Sequence, residues 1–194
     1  MTLHRRIIPS DNSDGLFINF PNKKYDIIYV DPPWEETGGG KIKRGADKHY
    51  KVLKTQDILK LPVNSISKLD CHLYLWVTNS FVPDGLRCIE EWGFRYLTAI
   101  TWVKNSIGLG QYFRGKTEHC LFAVRGMIPY KIVNGKRQQE PTCFYAKKRK
   151  HSEKPEEMRK IIEKVSDRKG FDKIELFARN SHESWHSWGN EITT

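Results

Sequence analysis

The sequence predicts an α/β fold, a mostly parallel sheet with helices on both faces. Two apolar runs, residues 25–30 and 72–78, have the length and the aromatic and branched content of strands buried on both sides. Amphipathic helical stretches at residues 80–91 and 152–167 alternate with such runs, the pattern of a helix-covered parallel sheet. The chain has 194 residues, 38% of them hydrophobic and 12% aromatic, enough to bury one core and too apolar for disorder. One domain over residues 1–194 is expected, without internal repeats or low-complexity segments.

Each element follows from local chemistry. Residues 1–24 are polar, with a short strand expected at 16–20. The strand at 25–30 must stop at Pro32 and Pro33, which lack an amide hydrogen and have a fixed φ. Residues 35–48 are glycine-rich and charged and read as a lid. Their Gly38-Gly39-Gly40-Lys41 lacks the spacing and the Ser/Thr of a phosphate loop. Thr55 caps a helix over 56–61 that Pro62 ends. Ser80 opens a helix through 91, with Leu86, Ile89 and Trp92 inward and Gly93 closing it.

Strands are expected at 96–103, 119–124 and about 142–146. Between the first two, residues 105–116 form a loop in which Gly108, Gly110 and Gly115 stand beside Tyr112, Phe113 and Arg114. Ser152 caps the next helix, with Pro155 in its first turn and Glu153, Glu156 and Glu157 complementing its dipole. Met158, Ile161, Ile162 and Val165 point inward, and Gly170 follows the end. Residues 173–178 are the last expected strand, and the tail 185–191 is too aromatic to be a loose end.

Charge narrows the partners. Thirty-three Lys+Arg against 23 Asp+Glu give a net charge of +10, which favours an anionic polymer. The basic residues gather at Lys41, Lys43, Arg44 and Lys48 and again at Lys147-Lys148-Arg149-Lys150. A merely solvated basic face is the competing reading. No apolar run approaches the ~20 residues of a membrane span, and residues 1–10 carry no signal-peptide core. Four scattered cysteines with no CxxC pair point to a reduced setting, cytoplasmic or, in a eukaryote, nuclear.

Two metal readings are set aside. His182-Glu183-Ser184-Trp185-His186 spells HExxH, but that chemistry needs both histidines on one face of a helix and a third ligand. Here the string follows a strand and sits among Ser, Asn, Trp and Gly. Glu118-His119-Cys120 lies on a strand, where neighbours point to opposite faces. No metal is expected.

The stretch of greatest interest is Asp31-Pro32-Pro33-Trp34, an acid, two rigid prolines and a large aromatic directly after a buried strand. The carbonyl ends of parallel strands are where open α/β sheets place ligands. Further blocks recur along the chain: His49-Tyr50-Lys51-Val52-Leu53, then Lys116-Thr117-Glu118-His119-Cys120-Leu121, then His151 to Glu156. Ile174-Glu175-Leu176-Phe177-Ala178-Arg179 and Trp188-Gly189-Asn190-Glu191 complete the set. In these motifs and their order the chain resembles the MT-A70 family of S-adenosylmethionine-dependent adenine-N(6) methyltransferases, from about residue 25 to 191.

The resemblance implies a Rossmann-like methyltransferase fold in permuted order, with the catalytic motif before the cofactor-binding strand. It implies that Lys154, Arg179, Asn190 and Glu191 hold S-adenosyl-L-methionine, with Ser181 in the variable stretch between and Asp31 near the methionyl amine. Asp11 and Asp14 are the alternatives for the acid that helps seat the cofactor's adenine. Catalysis falls to Asp31, Pro32, Pro33 and Trp34, with Tyr50 as the aromatic of the substrate loop. The Asp31 carboxylate and the Pro32 carbonyl accept the adenine amino hydrogens and free the nitrogen lone pair for in-line attack. Trp34 and Tyr50 stack on the base, at ~1–3 kcal/mol per stacked base.

Lys43, Arg44, Arg114, Lys147 and Lys148 are the expected phosphate contacts, with binding that weakens steeply with salt. DNA is favoured as the polymer over RNA, because no zinc-finger spacing or recognition domain is present. A homodimer or an accessory specificity subunit is an expected partner. An inactive binding partner of such an enzyme is the alternative of a different class, but such relatives lose the acid or the aromatic of the motif, and both stand here.

Overall fold

The computed structural model describes residues 17, 19–35, 52–108, 110, 112–148 and 153–189. Tyr50, Lys43, Arg44, Asn190, Glu191, Asp11, Asp14, Ser152 and the glycine-rich stretch 36–48 lie outside the described residues.

Seven strands form one sheet in the order β7-β3-β4-β2-β1-β8-β9. They are β1 (Tyr25–Val30), β2 (Ser67–Val77), β3 (Arg95–Lys104), β4 (Thr117–Arg125), β7 (Cys143–Ala146), β8 (Lys173–Leu176) and β9 (His186–Trp188). A small hairpin, β5 (Ile132–Val133) with β6 (Lys136–Arg137), stands apart. All neighbours pair in parallel except β4, which is antiparallel to both β2 and β3. β3 and β4 are joined directly by the loop 105–116 and pair as antiparallel neighbours, with no crossover helix between them.

The sheet's period of two separates two cores. Ile28, Val30, Leu73, Leu75, Ile174 and Leu176 face α1 (Thr55–Leu59), α2 (Val63–Ile66) and α3 (Val82–Glu91), packing on Ile58, Val63, Cys88 and Ile89. Ile27, Tyr29, Tyr74, Trp76, Trp102 and Cys120 face α4 (Glu156–Val165) through Met158 and Ile162. Every residue of β1 is buried, which is why its sequence reads as a run rather than an alternation.

Several local expectations shift. Residues 17, 19 and 20 form a turn, with Phe17 and Phe20 packed on the first core, in place of the strand expected at 16–20. Thr55 lies inside α1, whose N-cap is Lys54; the helix stops at Leu59 with Lys60 as its C-cap, short of the expected 61, and Pro62 caps α2. Ser80 falls in a 3-10 turn, Asn79–Phe81, ahead of α3. Leu86 is 38% exposed, and Gly85 takes the inward place instead. A side chain there would meet Val77 Cγ1 at 2.5 Å, so the glycine lets α3 lie close on the sheet. The strand 173–178 ends at Leu176, and β9 adds an edge strand beyond it.

Candidate active site

Parity along the strands decides which polar groups meet. Asp31 continues the series Ile27 and Tyr29 onto the α4 side of the sheet, where Lys154 stands just ahead of α4. Asp31 Oδ1 lies 2.8 Å from Lys154 Nζ, and Lys154 lies 3.5 Å from Glu118 Oε2. Glu118 also pairs with Lys104, at the end of β3. Four charges of alternating sign thus run from β1 across to β3, with side chains only 16–17% exposed. Glu118 and Lys104 share the parity of Cys120 and Trp102, which is the sequence signal that singles them out.

The electrostatics follow from burial and pairing. Burial pushes the Asp31 carboxyl above the usual range, and the Lys154 ammonium opposes that rise. For Glu118 burial acts upward as well, but Lys154 and Lys104 outweigh it and hold the carboxyl below its ordinary value. Burial acts to lower Lys154, yet Asp31 and Glu118 together raise it. Lys154 also sits 5.5 Å from the centre of the Trp76 ring, a cation–π contact.

The motif itself is held from below. The Trp34 amide donates to Pro32 O at 2.9 Å, and the Leu53 amide donates to Pro33 O at 2.8 Å. A carbonyl has two lone pairs, and the Trp34 amide engages one of those on Pro32 O. Trp34 points to the opposite side of the sheet from Asp31. Its Nε1 donates to the Trp76 carbonyl at 2.9 Å, and its ring stacks on Phe81 at 5.1 Å and 21°. At 7% exposure this ring is held between the Trp76 carbonyl and the Phe81 ring.

A cleft opens beside Asp31, lined among others by Lys154, Glu175, Phe177, Arg179 and His182. Its floor holds a residue that the sequence reading missed, Arg159, 7% exposed. It pairs with Glu156 and Glu175 and lies within 6 Å of the Tyr29 and Trp185 rings. Phe177, at the end of β8, has φ +62, a costly conformation for a bulky residue. The tail crosses so near that a side chain on Gly189 would meet Ala178 O at 2.3 Å. Arg179, Asn180 and His182 line the cleft, and Ser181 between them is exposed.

The expected phosphate contacts among the described residues are on the surface. Arg114 is exposed on the β3–β4 loop, and Lys147 and Lys148 are exposed just past β7. His182 and His186 sit on a turn and on β9, not on a helix. The His186 ring bonds to the Tyr25 hydroxyl at 2.9 Å. No cluster of metal-ligating side chains occurs among the described residues. No helix among them is long and apolar enough to cross a membrane.

The model of the MT-A70 family matches residues 25–191. The type II methyltransferase M.MunI of Mycoplasma sp is 34% identical over 92% of this chain and 82% of its own length. The human N(6)-adenosine-methyltransferase catalytic subunit METTL3 is 28% identical, over 87% of this chain and 28% of its own. The non-catalytic subunit MTB of Arabidopsis thaliana is 31% identical over 54% of this chain and 15% of its own. The chain thus spans most of the first relative and a small part of the other two.

Proposed function

The chain belongs to the MT-A70 family, and from that premise we propose that it is an S-adenosylmethionine-dependent methyltransferase acting on the exocyclic N(6) amino group of adenine in DNA. The observation that carries the reading is Asp31, half-buried at the carbonyl end of β1 and 2.8 Å from Lys154 at the mouth of the cleft.

The cleft suits the cofactor on chemical grounds. A methionyl zwitterion needs cations for its carboxylate and an anion for its ammonium, and Lys154, Arg179 and Asp31 supply both. When bound, the cofactor provides an electrophilic methyl group on a sulfonium. Asn190 and Glu191 remain the proposed partners of the ribose hydroxyls, and Tyr50 the proposed base contact.

The chain's own residues then do the following. Asp31 and the free lone pair of Pro32 O accept the two amino hydrogens of the target adenine, and this holds the nitrogen lone pair out of the ring plane. The prolines lose little entropy in keeping that acceptor aimed. Positioning of this kind is worth ~7–11 kcal/mol at best. Once the N–CH3 bond forms, the nitrogen carries one proton too many, and the carboxylate of Asp31, its affinity raised by burial, takes it. Lys154 balances the charge of Asp31 before that transfer, and Glu118 and Lys104 hold Lys154 in place. Trp34 acts at one remove, by fixing the turn that presents Asp31 and Pro32.

DNA is favoured because the type II methyltransferase, a DNA-modifying class, is matched over 82% of its length, against 28% for the adenosine methyltransferase METTL3. That second likeness favours RNA as the runner-up. A partner subunit is proposed on the likeness to a catalytic and to a non-catalytic subunit. The test is incubation with labelled cofactor and DNA or RNA, digestion, and identification of the modified nucleoside. N(6)-methyladenine from DNA supports the proposal, and label in RNA alone transfers it to the runner-up.

A further inference from the structure

We propose that the β3–β4 loop is a wedge, with Tyr112 and Phe113 entering the base stack of duplex DNA where the target adenine has been withdrawn. This rests on the reading above that the polymer is DNA.

The loop is built to project. Its neck is closed by the Lys104 amide on Lys116 O at 2.8 Å, and a second rung joins the Gly108 amide to Gly115 O at 2.7 Å. Arg114 Nε braces it on Gly108 O at 3.0 Å. A side chain at Gly110 would meet Phe113 O at 1.9 Å, so only glycine allows the tip to fold this tightly. At that tip Tyr112 is 93% exposed and Phe113 91%. Two adjacent aromatics in full contact with water contribute nothing to the core and keep an apolar surface hydrated at a cost.

The loop's position specifies what they meet. Lys104 at its neck pairs with Glu118, which shares Lys154 with Asp31, so the ribbon rises from the rim of the reacting centre. Residues 105–117 contain no acid, whereas Arg114 and Lys116 follow the rings directly. Lys147 and Lys148 stand alongside, with the Lys148 amide donating to Asn105 Oδ1 at 3.0 Å. A polyanion fits this rim. A second copy of a chain carrying +10 charges does so poorly.

The reaction supplies the need for a wedge. Adenine in a duplex must leave the stack before its amino group can reach Asp31. The neighbouring bases then lose a stacking surface, and an inserted apolar ring replaces it. A strand that is already single has no such gap.

The experiment compares labelled-methyl incorporation into native and into heat-denatured DNA of the same sequence. For the Tyr112→Ala/Phe113→Ala variant the native-to-denatured ratio is expected to fall roughly tenfold or more, the worth of a lost stacking contact. Tyr112→Phe with Phe113→Trp is expected to restore it. Both side chains are exposed, so the unfolding temperature should stay put in each variant, and its measurement separates misfolding from loss of the wedge. An unchanged ratio overturns the wedge. So does an equal loss on both substrates with dissociation of a dimer, which would make the loop a subunit contact. Wild-type protein active on denatured DNA alone also overturns it, while leaving adenine methylation standing. Wild-type protein that labels no DNA overturns both.

Discussion

Asp31 and Lys154 stand 2.8 Å apart at the mouth of one cleft, the first at the end of β1 and the second just ahead of α4. No local rule joins positions so far apart in sequence. The pair forms because Ile27, Tyr29 and Asp31 share the side of the sheet that faces α4, and that contact sets the chemistry of the site.

Replacing Asp31 with Asn keeps its shape and removes its charge and its basicity. Methyl transfer is expected to fall at least about 100-fold, the usual worth of a positioned proton acceptor. Cofactor binding, followed by calorimetry, should stay measurable because Lys154 and Arg179 remain. Full turnover in Asp31→Asn would remove the proposed mechanism.

Lys154 sets the pH range of the site. It is the strongest influence opposing the rise of the Asp31 pKa, so Lys154→Gln should lift that pKa further. Protonated Asp31 cannot accept a proton, hence the acid limb of kcat/KM should move to higher pH in the variant. A profile that keeps its acid limb while activity drops would show that Lys154 acts only by binding.

Trp34 is a structural anchor with a functional consequence. Trp34→Phe retains a ring against Phe81 but leaves the Trp76 carbonyl without its donor, for an expected loss of about 1–3 kcal/mol. Trp34→Ala also opens a cavity and should cost roughly 3–5 kcal/mol. Denaturant unfolding measures both. Equal stability of the two variants would show that the ring is not the anchor described here.

His72 gives the fold an acid-sensitive point far from chemistry. It is 8% exposed, and its Nδ1 lies 2.7 Å from Ser166 Oγ. Burial, helped by Arg168, lowers its pKa from 6.5 to about 4. Between those values the unfolded chain binds a proton that the folded chain refuses, so stability is full above pH 6.5 and declines as pH falls towards 4. The full loss is roughly 3 kcal/mol at 1.36 kcal/mol per pKa unit. His72→Gln should flatten that slope in thermal unfolding scans between pH 7 and 4, and an unchanged slope would assign it to the carboxylates.

Much of this was legible beforehand, for physical reasons. A strand buried on both faces must be a continuous apolar run, so β1 and the core of β2 stood out. Two prolines after such a run can only end it, which located Asp31 at a strand terminus. The inward face of α3, made by Gly85, Cys88 and Ile89, was less legible. Hydrophobicity pointed to Leu86, whereas close approach to Val77 demanded the residue with no side chain.

That an acid, two prolines and a tryptophan close a buried strand, and that the motifs of one family follow in order, is written in the chain itself. Folding adds that Trp34 turns away to anchor on Trp76 and Phe81 while Asp31 turns towards Lys154. It alone joined Glu118 and Lys104 to that pair and set Arg159 in the floor of the cleft. Strand periodicity assigns a residue to one of two faces, but which face meets which helix is settled only when the sheet closes around its two cores.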